Sequence, residues 1–188
     1  MGRTKDDAAG EAFDKVAKML ELGYPGGPAV SKRAEHGDSM HFDFPKPLLN
    51  SGDFDFSFSG LKTAALYTLR DAKKLAPTIL QDEDFVNDFC ASFQRTVVEV
   101  LVAKTIKAAK KYNVKGLLFG GGVMANRALR EGLEAAIKSD LGDVDYRFPT
   151  PDLCTDNAAM IASAAYVKAE AGMFVDWKEV DADSNWEL

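Results

Sequence analysis

An apolar segment, residues 114–119, runs straight into three consecutive glycines, Gly120, Gly121 and Gly122, and a helix-like pattern follows at once. This feature constrains the chain more than any other. Glycines at the end of a strand remove Cβ atoms, so a flat or anionic ligand can approach the backbone closely. A helix that follows directs its unpaired N–H groups and positive dipole end at such a ligand. A nucleotide or adenylate is the natural occupant, although a glycine-rich strand-to-helix turn can also be a plain tight turn.

The pattern around this loop describes an α/β protein. Residues 8–20 read as an amphipathic helix, with Ala9, Phe13, Val16 and Leu20 at helical spacing. Tyr24-Pro25-Gly26-Gly27-Pro28 breaks it, and a short helix over residues 29–36 is expected next. Phe42 and Phe44, then Phe54, Phe56 and Phe58, alternate with polar residues, which predicts two strands pairing antiparallel as a small β-ribbon. Ser59 is placed to cap a helix over residues 61–75. The longest helix is expected over residues 82–112, with Phe85, Phe89, Phe93, Val97, Val100 and Leu101 as its apolar stripe. A strand at 115–119, a helix at 125–139, a short strand at 146–148 and a last helix at 155–170 complete the reading. The expected divisions are a helical and β-ribbon subdomain over 1–110, an α/β nucleotide-binding portion over 111–175, and a loose acidic tail over 176–188.

Charge and cysteine content narrow the function. A net charge of −6 argues against a stand-alone nucleic-acid binder, whose affinity comes mainly from neutralised phosphates. Lys104, Lys107, Lys110, Lys111 and Lys115 cluster locally, and a solvated helix surface accounts for them. Cys90 and Cys154 are the only cysteines, without a CxxC pair, which fits a reducing cytoplasm and no disulfide framework. No apolar run reaches the roughly 20 residues of a membrane span.

Three other clusters could carry chemistry. Asp7, Gly10, Glu11 and Asp14 share one helix face, where carboxylates could accept ribose hydroxyls or hold a cation; a polar outer face explains them equally simply. Tyr24-Pro25-Gly26-Gly27 again permits close backbone approach, or merely connects two helices. Asp156 and Asn157 begin a helix of small residues, where Asp156 could ligate a metal or cap the helix. Cys154 reads as a small buried thiol. His36 and His41 form no HExxH pair, and no Gly-x-Ser-x-Gly elbow occurs.

Taken together, residues 6–15 (DDAAGEAFDK), 24–27 (YPGG), 54–64 (FDFSFSGLKTA), 120–130 (GGGVMANRALR) and 154–162 (CTDNAAMIA) resemble the TsaD (YgjD/Gcp) family, particularly its bacterial branch. The resemblance implies a two-lobed α/β fold of the actin/Hsp70/sugar-kinase type. It also implies transfer of a threonylcarbamoyl group from an adenylate to N6 of the adenosine 3′ of the anticodon in ANN-decoding tRNAs. By motif, Asp14, Gly27 and Asn126 correspond to adenylate-binding residues, and Gly120, Gly121 and Gly122 belong to the same site. Asp156 corresponds to the single carboxylate ligand of a divalent metal, iron or zinc.

The family's HxxxH metal motif is absent from these 188 residues. The resemblance therefore covers the C-terminal half of a full-length member, and the polypeptide alone is expected to be catalytically silent and not to retain the metal. The partners it implies are threonylcarbamoyl-adenylate or an adenine nucleotide, tRNA, and TsaB-like and TsaE-like proteins in the intact enzyme. A homodimer is a further expectation. Other readings are a non-catalytic assembly module and a fragment of a sugar or acetate kinase of the same superfold.

Overall fold

The long helix expected over residues 82–112 is the spine of the first structural unit. The computed structural model describes residues 2–181 and divides into two compact units, one through Cys154 and one from Thr155 onward. The spine, α4 (Glu83–Tyr112), starts where Asp82 accepts from the amides of Asp84 and Phe85 at 3.1 and 3.2 Å. It ends at Asn113, whose φ of 47° is the left-handed conformation that stops a helix.

On one side of α4 pack α1 (Ala9–Met19), α2 (Gly26–Ala34) and α3 (Ser59–Leu75). Phe13, Val16, Leu61, Phe89, Phe93 and Val97 are buried between them, and Phe13 meets Phe93 edge-on at 5.3 Å. On the other side lies a β–α–β unit: β1 (Gly116–Leu118), α5 (Arg127–Asp140) and β2 (Asp145–Arg147). The two strands are parallel, with Gly116 opposite Asp145 and Leu118 opposite Arg147. A parallel pair requires a crossover, and α5 supplies it. Its Leu129, Leu133 and Ile137 form a second core with Ile106 and Met124. This mixed helix-and-strand architecture agrees with the expected α/β class.

Several expectations are corrected. The β-ribbon is not formed: among the described residues, the 42–58 region contributes only an isolated bridge, Phe56 to Thr4. The alternating phenylalanines point inward, as their spacing suggests, but they meet helices. Phe44 lies 5.2 Å from Phe89, and the Phe42 amide donates to Ser92 Oγ at 3.0 Å. Alternation reports which side chains are buried and does not identify a partner strand. Ser59 is not the cap of α3 but its first residue. Asp6 caps that helix from 52 residues away, accepting from the amides of Phe58 (2.8 Å) and Ser59 (3.1 Å).

Lys104 is not on a solvated face. It is 1% exposed, and its ammonium donates to Ser51 Oγ at 2.6 Å and to the Asp53 carbonyl at 3.1 Å. Its long stem crosses the core and its head is satisfied by the 51–53 loop. Helix α2 begins three residues earlier than expected, so Gly26 and Gly27 belong to its first turn.

The second unit is built on α6 (Ala158–Glu170), where Asn157, not Asp156, is the cap: its Oδ1 accepts from the Met160 amide at 3.0 Å. Residues 182–188 of the expected loose tail lie outside the described residues. Among the described residues, no helix is long and apolar enough to cross a membrane.

Candidate nucleotide site

The expected site residues of the first unit gather where α1, the start of α2 and the glycine loop approach one another. Asp14, half-buried on α1, accepts from the Gly26 amide at 2.8 Å through Oδ1. A carboxylate at a helix start answers the unpaired amides and the dipole there. The approach is close: a Cβ on Gly26 would fall 2.5 Å from Asp14 Cα, so a larger residue would force the helices apart. Gly27 is different, because a Cβ there would meet nothing within 4 Å. Its bare backbone faces open space.

The glycine run has the same openness. A Cβ at Gly120, Gly121 or Gly122 would meet nothing within 4 Å, and Gly121 adopts φ 89°, a conformation that excludes most side chains. The helix does not follow at once, which corrects the expectation. A 3₁₀ turn, Gly122–Ala125, intervenes, and the Met124 amide closes it on the Gly121 carbonyl at 3.0 Å. Nor is the first turn of α5 left with all its amides free, since Asn126 Oδ1 accepts from Leu129 N at 3.0 Å. The backbone left open at this turn is therefore the glycine run itself.

Asn126 joins the parts. Its Nδ2 donates to Ser31 Oγ on α2 at 3.0 Å and to Gln94 Oε1 on α4 at 2.8 Å. Both amide protons and the carbonyl oxygen are thus engaged, which makes Asn126 the fastener of three helices. The loop also touches α1, for Val123 Cγ2 lies 3.6 Å from the place a Cβ on Gly10 would take. Asp14, Gly27, Gly120–Gly122 and Asn126 are brought together by these links. Ser31 and Gln94 were not singled out from the sequence. Ser31 is four residues after Gly27 and so shares its helix face, a signal visible only if α2 is begun at Gly26. Nothing local marks Gln94.

The acidic row behaves differently from expectation. Asp7 precedes α1 and pairs with Lys15 at 2.7 Å and Lys62 at 3.0 Å. These two ammonium groups hold its carboxyl below the usual carboxylate range. Glu11 also pairs with Lys15, at 2.7 Å. Asp14 is therefore the member of the row set against α2, where a ribose hydroxyl could reach it. Beside it an open concavity of about 530 Å³ is lined by Glu11, Asp14, Lys15, Lys18, Glu21 and Tyr24. Of the expected site residues it includes Asp14 and none of Gly120, Gly121 and Gly122.

Asp156 belongs to the second unit, where it is exposed and precedes the capping Asn157. Among the described residues, no three His, Cys, Asp or Glu side chains stand close enough to hold a metal ion. Iron and zinc ordinarily take three or more protein ligands, so the residues present do not fit a metal by themselves. Both cysteines are buried. Burial pushes the Cys90 thiol up to about 12, and Cys154 Sγ accepts from Arg130 Nη2 at 3.1 Å. Neither thiol is set up as a nucleophile.

Comparison with known proteins gives one consistent result. The family model described as "TsaD: tRNA N6-adenosine threonylcarbamoyltransferase" matches residues 1–163. A protein of that description from Listeria welshimeri is 48% identical over 185 residues, covering 98% of this chain and 51% of the relative. One from Thermosipho africanus is 48% identical over 176 residues, covering 94% and 51% respectively. One from Bordetella avium is 50% identical over 173 residues, covering 92% and 49%. The chain thus spans about half the length of the curated relatives it matches.

Proposed function

This chain belongs to the TsaD family of tRNA N6-adenosine threonylcarbamoyltransferases, and from that premise we propose that its first unit supplies one wall of the site that binds threonylcarbamoyl-adenylate. The observation that carries this reading is the meeting of Asp14, Gly27, the glycine run and Asn126 through the Gly26 and Ser31–Gln94 links. An adenylate has a purine face, two ribose hydroxyls and a phosphate. Bare glycine backbone accommodates the flat and anionic parts, and the Asp14 carboxylate can accept from a ribose hydroxyl. Asn126 holds the wall together. The unit is then part of a lobe of the actin/Hsp70/sugar-kinase type.

In the reaction proposed for the intact enzyme, N6 of the tRNA adenosine attacks the carbamoyl carbon. The N–C bond forms as the bond from that carbon to the phosphate oxygen breaks, a proton leaves N6, and AMP departs. The residues here orient the adenylate, and holding the reacting carbon fixed lowers the entropic part of the barrier. Asp156 is proposed as one ligand of the family's metal; no step is assigned through that metal, because the described residues do not hold one.

The test supplies purified chain with threonylcarbamoyl-adenylate and an ANN-decoding tRNA. The chain alone is expected to give no modified adenosine, and addition of a segment bearing the family's HxxxH motif is expected to give turnover. Modification by the chain alone would contradict the need for that segment. Absence of affinity of the chain for the adenylate would contradict the reading itself.

A second reading, an assembly surface, is favoured by one observation. Ile161, Tyr166, Val167 and Trp177 of the second unit are all more than 60% exposed (63, 65, 67 and 79%). Large apolar side chains left exposed favour association. Light scattering at increasing concentration reads a rising mass if copies associate and a constant monomer mass if they do not.

A further inference from the structure

One guanidinium in the first unit ties together segments that are far apart in sequence. Arg130, half-buried on the first turn of α5, donates through Nε to the carbonyl of Met124, the buried residue of the 3₁₀ turn that follows the glycines. Its Nη2 donates to the Pro149 carbonyl at 2.6 Å and to Cys154 Sγ at 3.1 Å. The guanidinium also lies 5.5 Å from the centroid of the Phe148 ring. Among the described residues its hydrogen-bond acceptors are two carbonyls and a thiol, with no carboxylate. A surface ion pair would look different, because its geometry is loose and a carboxylate neutralises it. A planar fork with donors fixed in direction instead sets the spacing between its acceptors.

We propose that Arg130 is a positioning residue of the adenylate site: it holds the Met124 carbonyl against the chain leaving β2 and so fixes the path of Gly120–Gly122. This rests on the adenylate reading of the glycine loop. The glycines need such a brace. Three residues without side chains have the most backbone freedom to lose, and a loop that wanders gives up affinity when it must be ordered by its ligand. Cys154 fits the same account as a buried acceptor for the brace and not as a reactive thiol. Lysine cannot replace Arg130, since a single ammonium on a flexible stem cannot span the Met124 and Pro149 carbonyls in fixed geometry.

Amide hydrogen exchange and AMP titration, both followed by NMR on the full chain, test this with Arg130→Lys. The amides of Met124 and Asn126, bonded within the Gly122–Ala125 turn, and of Leu153 and Cys154, bonded within a second 3₁₀ turn at Pro151–Leu153, are expected to exchange about tenfold faster. Those of Phe89 to Val100 in α4 should be unchanged, and the AMP dissociation constant should rise by about tenfold. Acceleration spread evenly through α4, or none at the four named amides, would overturn the proposal. So would faster local exchange with unaltered AMP affinity. If wild-type chain binds no AMP, the adenylate reading fails, and the exchange pattern still decides whether the brace exists. Should Arg130→Lys not fold, Cys154→Ala decides: it removes one acceptor and is expected to speed the same four amides about threefold, whereas unchanged exchange there would overturn the proposal.

Discussion

Helices α5 and α6 start alike, each with an asparagine whose Oδ1 accepts from the amide three residues on, Leu129 and Met160, both at 3.0 Å. Their surroundings then diverge. Helix α5 buries Leu129, Leu133 and Ile137 on one face and carries i,i+4 ion pairs, Arg127–Glu131 and Lys138–Glu134, on the other. Helix α6 is composed almost entirely of small and apolar residues, and none of them is buried. A cap determines where a helix begins; burial depends on a partner for its apolar surface, and most helix stability comes from that burial. An apolar pattern on all sides belongs to a helix that is normally covered all round.

The largest expected contrast is in the two apolar faces. Leu133→Ala should cost about 2–5 kcal/mol in urea unfolding, because it opens a cavity in a closed core. Ile161→Ala on α6 should stay within about 0.5 kcal/mol, as for other exposed positions. Equal costs would break the comparison by showing that α6 is covered in solution.

The caps should differ next. Asn126→Ala removes a cap and two side-chain bonds to α2 and α4, and is expected to cost about 2 kcal/mol. Asn157→Ala removes only a cap on an unburied helix and should cost about 1 kcal/mol or less, read as lost helicity by circular dichroism.

Acid sharpens the comparison further, since α5 and α6 have neutral caps and α3 has Asp6. Partial burial opposes ionisation of Asp6, but the Ser57 hydroxyl and the Phe58 and Ser59 amides outweigh it and leave its carboxyl below the usual value. Its stabilising effect is therefore complete above the unfolded-state pKa and is lost as the pH falls through the lower folded-state value. The amides at the start of α3 should lose exchange protection in that acid range, while those of α5 and α6 keep theirs. Asp6→Asn should flatten the dependence. The smallest effect concerns Cys90: with its thiol pushed up to about 12 by burial, it should resist alkylation in folded chain at pH 8 and react only after denaturation.

What was legible in the sequence was local. The Asp82 start and the phenylalanine stripe of α4 could be read because a cap and a periodic face involve residues a few positions apart. The phenylalanines from 42 to 58 suggest a ribbon by their alternation, yet inward rings leave open whether a strand or a helix receives them. Asp6 and Lys104 were missed for a related reason: each acts on a partner about fifty residues away. For the site, Asp14, Gly27 and Asn126 were named through resemblance to a family. The three-dimensional meaning of Asn126 depends on Gln94 and Ser31, 32 and 95 positions away, and no local pattern announces such pairs.

The most direct test of the account is an NMR titration of the isotopically labelled chain with AMP, alongside Asp14→Ala. The account predicts that the amides of Gly27, Gly121, Gly122 and Asn126 shift together along one binding curve, and that loss of the Asp14 carboxylate weakens that curve. Shifts confined to other surfaces, or an affinity indifferent to Asp14, would contradict it.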